Sequence, residues 1–315
     1  MKSKNKVRKS VPALTEIKAH KIIEMNELNV IHDLNGYIDI NINVTICIHC
    51  YDINIFKEIM LYIRNFFEFK WKHIQFIVHH IKHSQTEIEE IIKTVLKDVD
   101  KDIIVESCGD SGSGEEEIGG GSGDSGGVLD YFKFIEGENI GVDIGGFMRC
   151  LDEVREDDDI VVKIHTKTDD IWRRSMMNIF SVNGIYTSMK LLESNNIGMI
   201  GSIYNIEHFR KKFNPEFRIN QYYIPMIQNI CNLINLPFNE SNVIQSYFVA
   251  GTIFICKKSL LNEIIKERKS IYNLCLDLRK TKWVSGKMKF TYEHASEILF
   301  GYIPFQFKQL LVGIY

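Results

Sequence analysis

The sequence predicts an α/β fold with a mostly parallel central sheet flanked by helices. Short apolar runs of strand length alternate with amphipathic helical segments, a pattern that is typical of parallel strands joined by right-handed crossovers. The 315 residues are 45% hydrophobic and 25% charged, as in a globular protein with a buried core. A third observation is the strand at 159–166, whose cationic end lies where such sheets bind ligands.

The first elements follow from the periodicity of their apolar residues. Ile55, Ile59 and Ile63 share one face of a helix, and Ser84 with Glu87 forms a capping box at the start of the next helix. Apolar runs between these helices have the length and composition of buried strands. In chain order we predict a strand at 43–50, a helix at 54–67, a strand at 74–79, a helix at 86–96 and a strand at 103–107.

The later elements continue this alternation. Gly198 and Gly201 bracket a short apolar run, and Gly251 interrupts a longer one. A polar helical region at 215–235 is expected to cap the site. The predicted elements are strands at 131–135, 159–166, 197–202 and 246–256, and helices at 144–154, 172–180, 215–235, 259–266 and 291–300.

The domain organisation is simple. We interpret residues 1–40 as an N-terminal extension with a helical patch at 14–29, and residues 41–315 as one domain. The stretch 108–127 consists of Gly, Ser, Glu and Asp with almost no apolar residues, which predicts a flexible low-complexity insertion. It lacks the lysine of a phosphate-binding P-loop.

Charge and cysteine usage exclude several classes of protein. A net charge of -3 argues against nucleic-acid binding. Seven cysteines without a repeating spacing favour a reducing compartment, and Cys47 and Cys50 would point to opposite faces of a strand. No stretch reaches the ~18 apolar residues of a membrane span. We therefore expect a cytoplasmic protein without a transmembrane segment, attached at most peripherally to a membrane through its basic N-terminus.

The strand that ends in Lys163-Ile164-His165-Thr166-Lys167 carries the strongest functional signal. Side chains alternate along a strand, so Lys163, His165 and Lys167 share one face. Because unpaired buried charge is costly, this face is expected to meet an anion such as a pyrophosphate. The alternative is a structural ion pair between Lys163 and a buried carboxylate such as Asp143.

Two neighbouring segments add polar and aromatic groups to this end of the sheet. Asn139 and Gly141 belong to a glycine-rich connection in which Asp143 could bind a sugar hydroxyl or a ribose. After the strand, Trp172 offers a stacking ring and Arg173 a guanidinium. Core packing for the tryptophan and solvent exposure for the arginine remain the alternatives.

Acidic residues supply candidates for a metal ligand. Asp169 lies at the carboxyl end of the cationic strand, where it could hold a divalent cation, Mg or Mn. Asp169 and Asp170 could instead cap the helix that follows, and we expect Asp170 to do so. The run 157–159 lies at the opposite end of the strand and predicts a solvated turn.

The last predicted helix carries the candidates for a catalytic base. Glu293 and Glu297 lie one turn apart on one face, with His294 beside them. A carboxylate presented on a helix next to a sugar site could deprotonate an acceptor hydroxyl. An exposed helical face without catalytic function is the alternative.

These segments, in this order, resemble the rhamnan-synthesis protein F family of glycosyltransferase-like proteins over about residues 43–303. The specific part is the Lys-Ile-His-Thr-Lys segment together with the Gly-Val-Asp-Ile-Gly segment that begins at Gly141. The supporting matches are 46–51, 139–147, 172–173, 197–201, 250–254, and 294–302.

The resemblance implies a GT-A-like fold, which is Rossmann-like, and transfer of L-rhamnose or a related sugar. The donor would be a nucleotide sugar and the acceptor a glycan or glycolipid in polysaccharide assembly, and transfer is expected to invert the configuration of the anomeric carbon. His49 and Tyr51, in the opening strand, would then be donor-binding residues. GT-A enzymes usually carry Asp-x-Asp where this chain has Lys-x-His-x-Lys, so lysines and a histidine would replace a metal. The rival hypothesis is a non-catalytic protein that binds glycans or nucleotide sugars.

Overall fold

The computed structural model describes residues 38–99, 127–209, 220–277 and 291–315. The helical patch predicted at 14–29, the strand predicted at 103–107 and nearly all of the insertion predicted at 108–127 lie outside the described residues. No helix within the described residues is long and apolar enough to cross a membrane.

A seven-stranded sheet forms the centre of the described structure. Its strand order is β3-β2-β1-β4-β8-β5-β9, and β8 runs antiparallel to both of its neighbours while the other pairs are parallel. A separate two-stranded ribbon pairs β6 with β7. The strands are β1 (Ile38–Cys50), β2 (Phe69–His80), β3 (Phe132–Glu136), β4 (Ile160–His165), β5 (Ile197–Ser202), β6 (Ile206–His208), β7 (Tyr247–Val249), β8 (Phe254–Lys257) and β9 (Leu310–Ile314).

Helices cover both faces of the sheet. Apolar side chains of α1, α2, α4 and α5 join one hydrophobic core, and those of α3, α6, α8 and α9 join a second core on the other face. The predicted α/β fold with a mostly parallel sheet flanked by helices is therefore confirmed. The helices are α1 (Ile53–Ile63), α2 (Gln85–Val95), α3 (Val142–Cys150), α4 (Asp170–Met177), α5 (Val182–Leu192), α6 (Asn220–Leu233), α7 (Glu240–Gln245), α8 (Asn262–Asp277) and α9 (Tyr292–Gln306).

Side-chain caps begin the first two helices, and one of these caps was predicted from the sequence. The predicted capping box at Ser84 and Glu87 is present at the start of α2. Asp52 caps α1, because its carboxylate accepts hydrogen bonds from the backbone amides of Asn54 and Ile55. Such caps satisfy amides that have no partner inside the helix.

The structure corrects several of the predicted elements. The helix predicted at 54–67 ends as a 3-10 turn at Arg64–Glu68, and the helix predicted at 259–266 extends to Asp277. The strand predicted at 246–256 is two strands, β7 and β8, which belong to different sheets. Four of the described helices and strands were not predicted from the sequence: α5, α7, β6 and β9.

The acidic run 157–159 is only in part the solvated turn that the sequence predicted, since Asp157 and Asp159 are exposed but Asp158 is not. Asp158 is buried, and its carboxylate accepts a hydrogen bond of 2.6 Å from the Thr45 hydroxyl. Asp159 accepts a second hydrogen bond from the backbone amide of Asn43. These contacts tie β1 to the start of β4 at the amino edge of the sheet, far along the strand from its cationic end.

The alternation of side chains along the strands is as predicted. Val162 and Ile164 lie in one core, while Val161 lies in the other, on the same face as Lys163. Cys47 and Cys50 likewise belong to different cores, so they face away from each other.

The topology brings distant parts of the chain to one edge of the sheet. The parallel strands β1 to β4 end at the same edge, and α3 and α4 begin there. Because β8 is antiparallel, the turn before it, at Gly251 and Thr252, also lies at this carboxyl edge. The chain enters α9 at this edge too, since α9 returns along the sheet to β9, which is parallel to β5.

Candidate functional site

A cavity of about 280 Å³ opens at the carboxyl edge of the sheet. Open α/β sheets commonly bind ligands at this position. Segments separated by as many as 150 residues in the sequence meet in its wall. The lining residues are Val142, Asp143, Ile144, His165, Lys167, Trp172, Tyr223, Phe248, Gly251, Thr252, Glu293, His294 and Glu297.

Seven of the candidates from the sequence lie together in this wall. They come from four separate elements: the start of α3, the end of β4, the start of α4 and the start of α9. The seven are Asp143, His165, Lys167, Trp172, Glu293, His294 and Glu297.

Lys163 lies beneath the cavity and forms the ion pair that the sequence left as an alternative. Its side chain is 1% exposed, and its ammonium nitrogen lies 2.6 Å from Asp143 Oδ2. The ammonium also donates to the Thr252 hydroxyl at 2.8 Å and to the Thr252 carbonyl at 3.1 Å. A lysine has three N–H donors, so Lys163 has a partner for each of them within the protein.

The same ion pair fixes the charge of Asp143. Burial alone would raise the pKa of its carboxyl, but the Lys163 ammonium and the Thr252 hydroxyl outweigh burial and hold the pKa well below its usual range. Burial lowers the pKa of Lys163, and the Asp143 carboxylate opposes that change. The result is an ionised carboxylate at the cavity wall that does not take up a proton near neutral pH.

The turn at Gly251 and Thr252 forms part of the cavity wall and is held from both sides. Its residues have positive φ angles of 86° and 55°, which is unusual for a β-branched threonine. His165 Nε2 lies 2.5 Å from the Gly251 carbonyl oxygen, and the Gly251 amide donates to Glu297 Oε1. Burial lowers the pKa of His165 to about 4, so the neutral ring donates its Nε2–H to that carbonyl.

Lys167 is the lysine that lines the cavity itself. Its ammonium nitrogen lies 4.0 Å from the centre of the Trp172 ring, a cation–π contact. Both residues are within the cavity wall, at the end of β4 and in the first turn of α4. The pair presents a positive charge and an aromatic ring at adjacent positions.

Glu293 contributes a carboxylate to the cavity wall from the first turn of α9. Its Oε2 atom is buried and has no hydrogen-bond partner among the residues that the structure describes. A buried carboxylate oxygen without a donor is costly, and a ligand hydroxyl could supply that donor. His294 is exposed, and its Nδ1 lies 2.8 Å from the Thr291 hydroxyl.

Tyr223 completes this side of the wall. The residue is 1% exposed and its ring centre lies 6.4 Å from that of His294. Burial, with a smaller contribution from the charge of Glu297, raises the pKa of its hydroxyl to about 12. Its phenol is therefore neutral at physiological pH.

Other candidates lie outside the cavity wall in positions with clear structural roles. His49 is buried in β1 and its Nδ1 lies 2.9 Å from that of His79. Tyr51 lies after β1, with the ammonium of Lys82 3.7 Å from its ring centre. Asn139 precedes α3, and Gly141 caps that helix with a positive φ of 66°.

Arg173 and Asp169 stabilise α4 rather than line the cavity. Arg173 is buried and pairs with Glu58 at 2.6 Å and with Asp170 at 2.9 Å. Asp169, not Asp170, is the cap of α4, because its Oδ1 accepts a 2.8 Å hydrogen bond from the Trp172 amide. The prediction that Asp170 caps the helix is wrong.

The residues around Asp169 do not fit a metal site. Across the described ranges, no group of three His, Cys, Asp or Glu side chains could hold a metal ion. One carboxylate oxygen of Asp169 is engaged in the helix cap.

Six lining residues were not among the sequence candidates. Thr252 is the most consequential of them, because it contacts both members of the Lys163–Asp143 pair. The sequence signal that could have found it is the glycine before it, which marks a break in an apolar run. The others are Val142, Ile144, Tyr223, Phe248 and Gly251.

Comparisons with known proteins assign the chain to no family. No protein-family model and no curated protein matches it. The chain is similar to the crystal structure of 4-diphosphocytidyl-2C-methyl-D-erythritol synthase from Anaerococcus prevotii, at 9% sequence identity and a TM-score of 0.34. That match covers 87% of this chain and 86% of that one. No conclusion about function follows from a likeness of this size.

The fold and the site thus define an α/β protein with a polar cavity at the carboxyl edge of its sheet. The resemblance to the rhamnan-synthesis protein F family stays a prediction.

Proposed function

We propose that this protein is a glycosyltransferase that moves a sugar from a nucleotide-sugar donor to a glycan or glycolipid acceptor. The observation that carries the proposal is the meeting of Lys167 and Trp172 with Glu293 in one cavity. A cation beside an aromatic ring suits the phosphate and base of a nucleotide, and a carboxylate with an unused oxygen suits a hydroxyl. L-rhamnose or a related sugar is the sugar that the sequence resemblance favours.

The proposed reaction is a direct displacement at the anomeric carbon, which inverts its configuration. Glu293 Oε2 accepts the proton of the acceptor hydroxyl as that oxygen attacks the anomeric carbon. The bond to the leaving nucleoside diphosphate breaks, and Lys167 offsets part of the negative charge that develops there. Asp143 stays ionised and does not exchange protons in this scheme.

A second function, binding of nucleotide sugars without catalysis, is favoured by one specific observation. Lys163 and His165 form hydrogen bonds within the protein. Of the two lysines on this face of the strand, Lys167 is the one that lines the cavity. A single lysine neutralises a diphosphate only in part. Catalysis by this cavity therefore depends most heavily on Glu293.

Glu293→Gln distinguishes the two functions, because it keeps the shape of the side chain and removes its basicity. We expect transfer from a nucleotide sugar to fall by about 10²–10⁴-fold, the usual contribution of a general base. Donor affinity, measured by isothermal titration, should stay the same. The matched control is Glu240→Gln, another first-turn glutamate that lies outside the cavity.

The outcomes distinguish catalysis with Glu293 as the base from binding without catalysis. If Glu293→Gln transfers sugar at the wild-type rate, the assignment of the base is wrong. If the wild type binds a nucleotide sugar but transfers it to no acceptor, the non-catalytic function is supported. Assays with and without a chelator test metal dependence separately.

A further inference from the structure

The two carboxylate oxygens of Asp143 are used unequally. The hydrogen bonds that described residues make to this side chain go to Oδ2, from the Lys163 ammonium at 2.6 Å and from the Thr252 hydroxyl. His165 Nε2 also lies nearest that oxygen, at 3.8 Å. The side chain is 18% exposed and lines the cavity. Oδ1 is therefore the oxygen that Asp143 has left to offer a ligand.

Thr252 fixes which oxygen is left over. Its hydroxyl accepts from the Lys163 ammonium at 2.8 Å and donates to Asp143 Oδ2, so it bridges the ion pair. The backbone of Thr252 is held at a φ of 55° by a turn whose amide and carbonyl bond to Glu297 and His165. The hydroxyl of this residue is thereby directed at the ion pair and away from other partners.

We propose that Asp143 Oδ1 binds a hydroxyl of a neutral sugar ring, that Thr252 is the positioning residue for it, and that the cavity rejects sugars that carry a carboxylate. This inference rests on the proposed function and names the class of sugar that the site accepts. An ionised acceptor oxygen forms strong hydrogen bonds with hydroxyl donors. A sugar carboxylate has no donor to give it.

The second carboxylate of the cavity reinforces this selection. Glu293 Oε2 is also without a hydrogen-bond partner in the described part of the chain, and it too requires a donor. With Glu297, three carboxylates therefore line the cavity, and the ammonium of Lys167, which also lines it, contacts the Trp172 ring. A uronate placed between Asp143 and Glu293 would meet like charges, a juxtaposition that costs several kcal/mol in other interfaces.

The test compares two donors that differ only at C6, UDP-glucose with a hydroxymethyl group and UDP-glucuronate with a carboxylate. Isothermal titration of the wild type should give at least about tenfold tighter binding of UDP-glucose. Asp143→Asn should reduce that preference to less than about threefold, because the amide can donate to a carboxylate. Equal affinities in the wild type would overturn the inference.

Thr252 is tested by a matched pair of variants that both fit its place in the turn. Thr252→Ser keeps the hydroxyl and should retain the preference for UDP-glucose. Thr252→Val keeps the shape but removes the hydroxyl that helps to hold Asp143 Oδ2, so Oδ1 is no longer fixed towards the ligand and the preference should fall as in Asp143→Asn. If Thr252→Val is folded, with an unchanged circular dichroism spectrum, and discriminates like the wild type, Thr252 is not a positioning residue.

Free sugars separate the failure of this inference from the failure of the proposed function. Saturation-transfer NMR with glucose and glucuronate probes the sugar position without a nucleotide. The inference is supported if the wild type contacts glucose but not glucuronate and if Asp143→Asn reduces the glucose signal. If no UDP sugar binds in that case, the nucleotide-sugar function fails and the inference about the sugar position does not. Equal signals from both sugars, or none from either when the UDP sugars also do not bind, would contradict it.

Discussion

Burial divides Lys163, His165 and Lys167, which share one face at the end of β4, between two roles. Lys163 holds Asp143 and His165 holds the Gly251 carbonyl, whereas Lys167, two residues beyond the end of β4, lines the cavity beside Trp172. The sequence pattern predicts that the three share a face but not how far each lies from solvent. The residue most directly placed to contact an anion is thus Lys167.

Lys167→Ala tests this role. Donor binding should weaken on the order of 10- to 100-fold, because hydrogen bonds to charged groups contribute about 1.5–3 kcal/mol. Isothermal titration with the preferred nucleotide sugar is the measurement. Lys190→Ala is the matched control, since Lys190 also lies over an aromatic ring, that of Tyr186, and does not line the cavity. Equal affinities in the wild type and Lys167→Ala would contradict the assignment.

The residues of the site differ in how far the sequence could predict them. Asp143, Lys167 and Glu293 carry charge in informative positions, and the structure places all three in the cavity wall. Thr252 carries no such signal, because its role depends on a strained turn and on a strand that pairs antiparallel. Asp169 and Asp170 are adjacent aspartates, and only the backbone geometry decides which one caps α4.

At the scale of elements, α9 carries Glu293, the candidate for the catalytic base, and packs against β7. Glu293 stands in its first turn, and Gly301 packs against β7 two turns later. A Cβ at position 301 would lie 2.0 Å from the Tyr247 carbonyl oxygen and 2.5 Å from Phe248 Cα. The helix can approach β7 this closely because residue 301 has no side chain.

Gly301→Ala should therefore shift α9 and disturb the cavity. We expect a lower melting temperature and weaker donor binding, because overpacking typically costs about 1–3 kcal/mol and Phe248 itself lines the cavity. Thermal unfolding and isothermal titration are the measurements. Gly198→Ala is the control: its nearest neighbour is the flexible end of Gln309, and it lies outside the cavity wall. An undisturbed Gly301→Ala variant would show that α9 has room to adjust.

Element types were easier to predict from the sequence than their ends or partners. The helix predicted at 291–300 continues through Pro304 to Gln306, because packing of its buried face against β7 and α6 outweighs the local cost of proline. The strand β9 was missed because five residues near the end of the chain give little periodicity, although Val312 and Ile314 are fully buried. Periodicity also could not show that residues 247–249 and 254–257 join different sheets.

At the scale of the whole molecule, three buried histidines form a row across adjacent strands. His165, His49 and His79 occupy matching positions on β4, β1 and β2, on the face covered by α3. Burial lowers the pKa of His49 to about 3 and that of His79 and His165 to about 4. These side chains are neutral at physiological pH in the folded protein.

The row predicts that acid destabilises the fold. Below the unfolded histidine pKa of about 6.5, the unfolded chain binds protons that the folded protein excludes, so stability falls as the pH drops from about 6.5 towards 4. Each buried histidine contributes a loss of about 2 kcal/mol at pH 5. Urea unfolding at pH 7.5 and pH 5 measures this. His79→Gln should weaken the pH dependence of the unfolding free energy, and His83→Gln, outside the row, should not. If the unfolding free energy of the wild type is the same at both pH values, the prediction is wrong.

The cavity exists because the sheet topology gathers residues 143, 167 and 293 at one edge, and its central use is proposed to be nucleotide-sugar binding. Isothermal titration of the wild type against a panel of nucleotide sugars, including a nucleotide-activated L-rhamnose, tests this most directly. We predict saturable binding of at least one of them, and none of the corresponding nucleoside without its phosphates. Absence of binding to every nucleotide sugar by the folded protein would contradict the account.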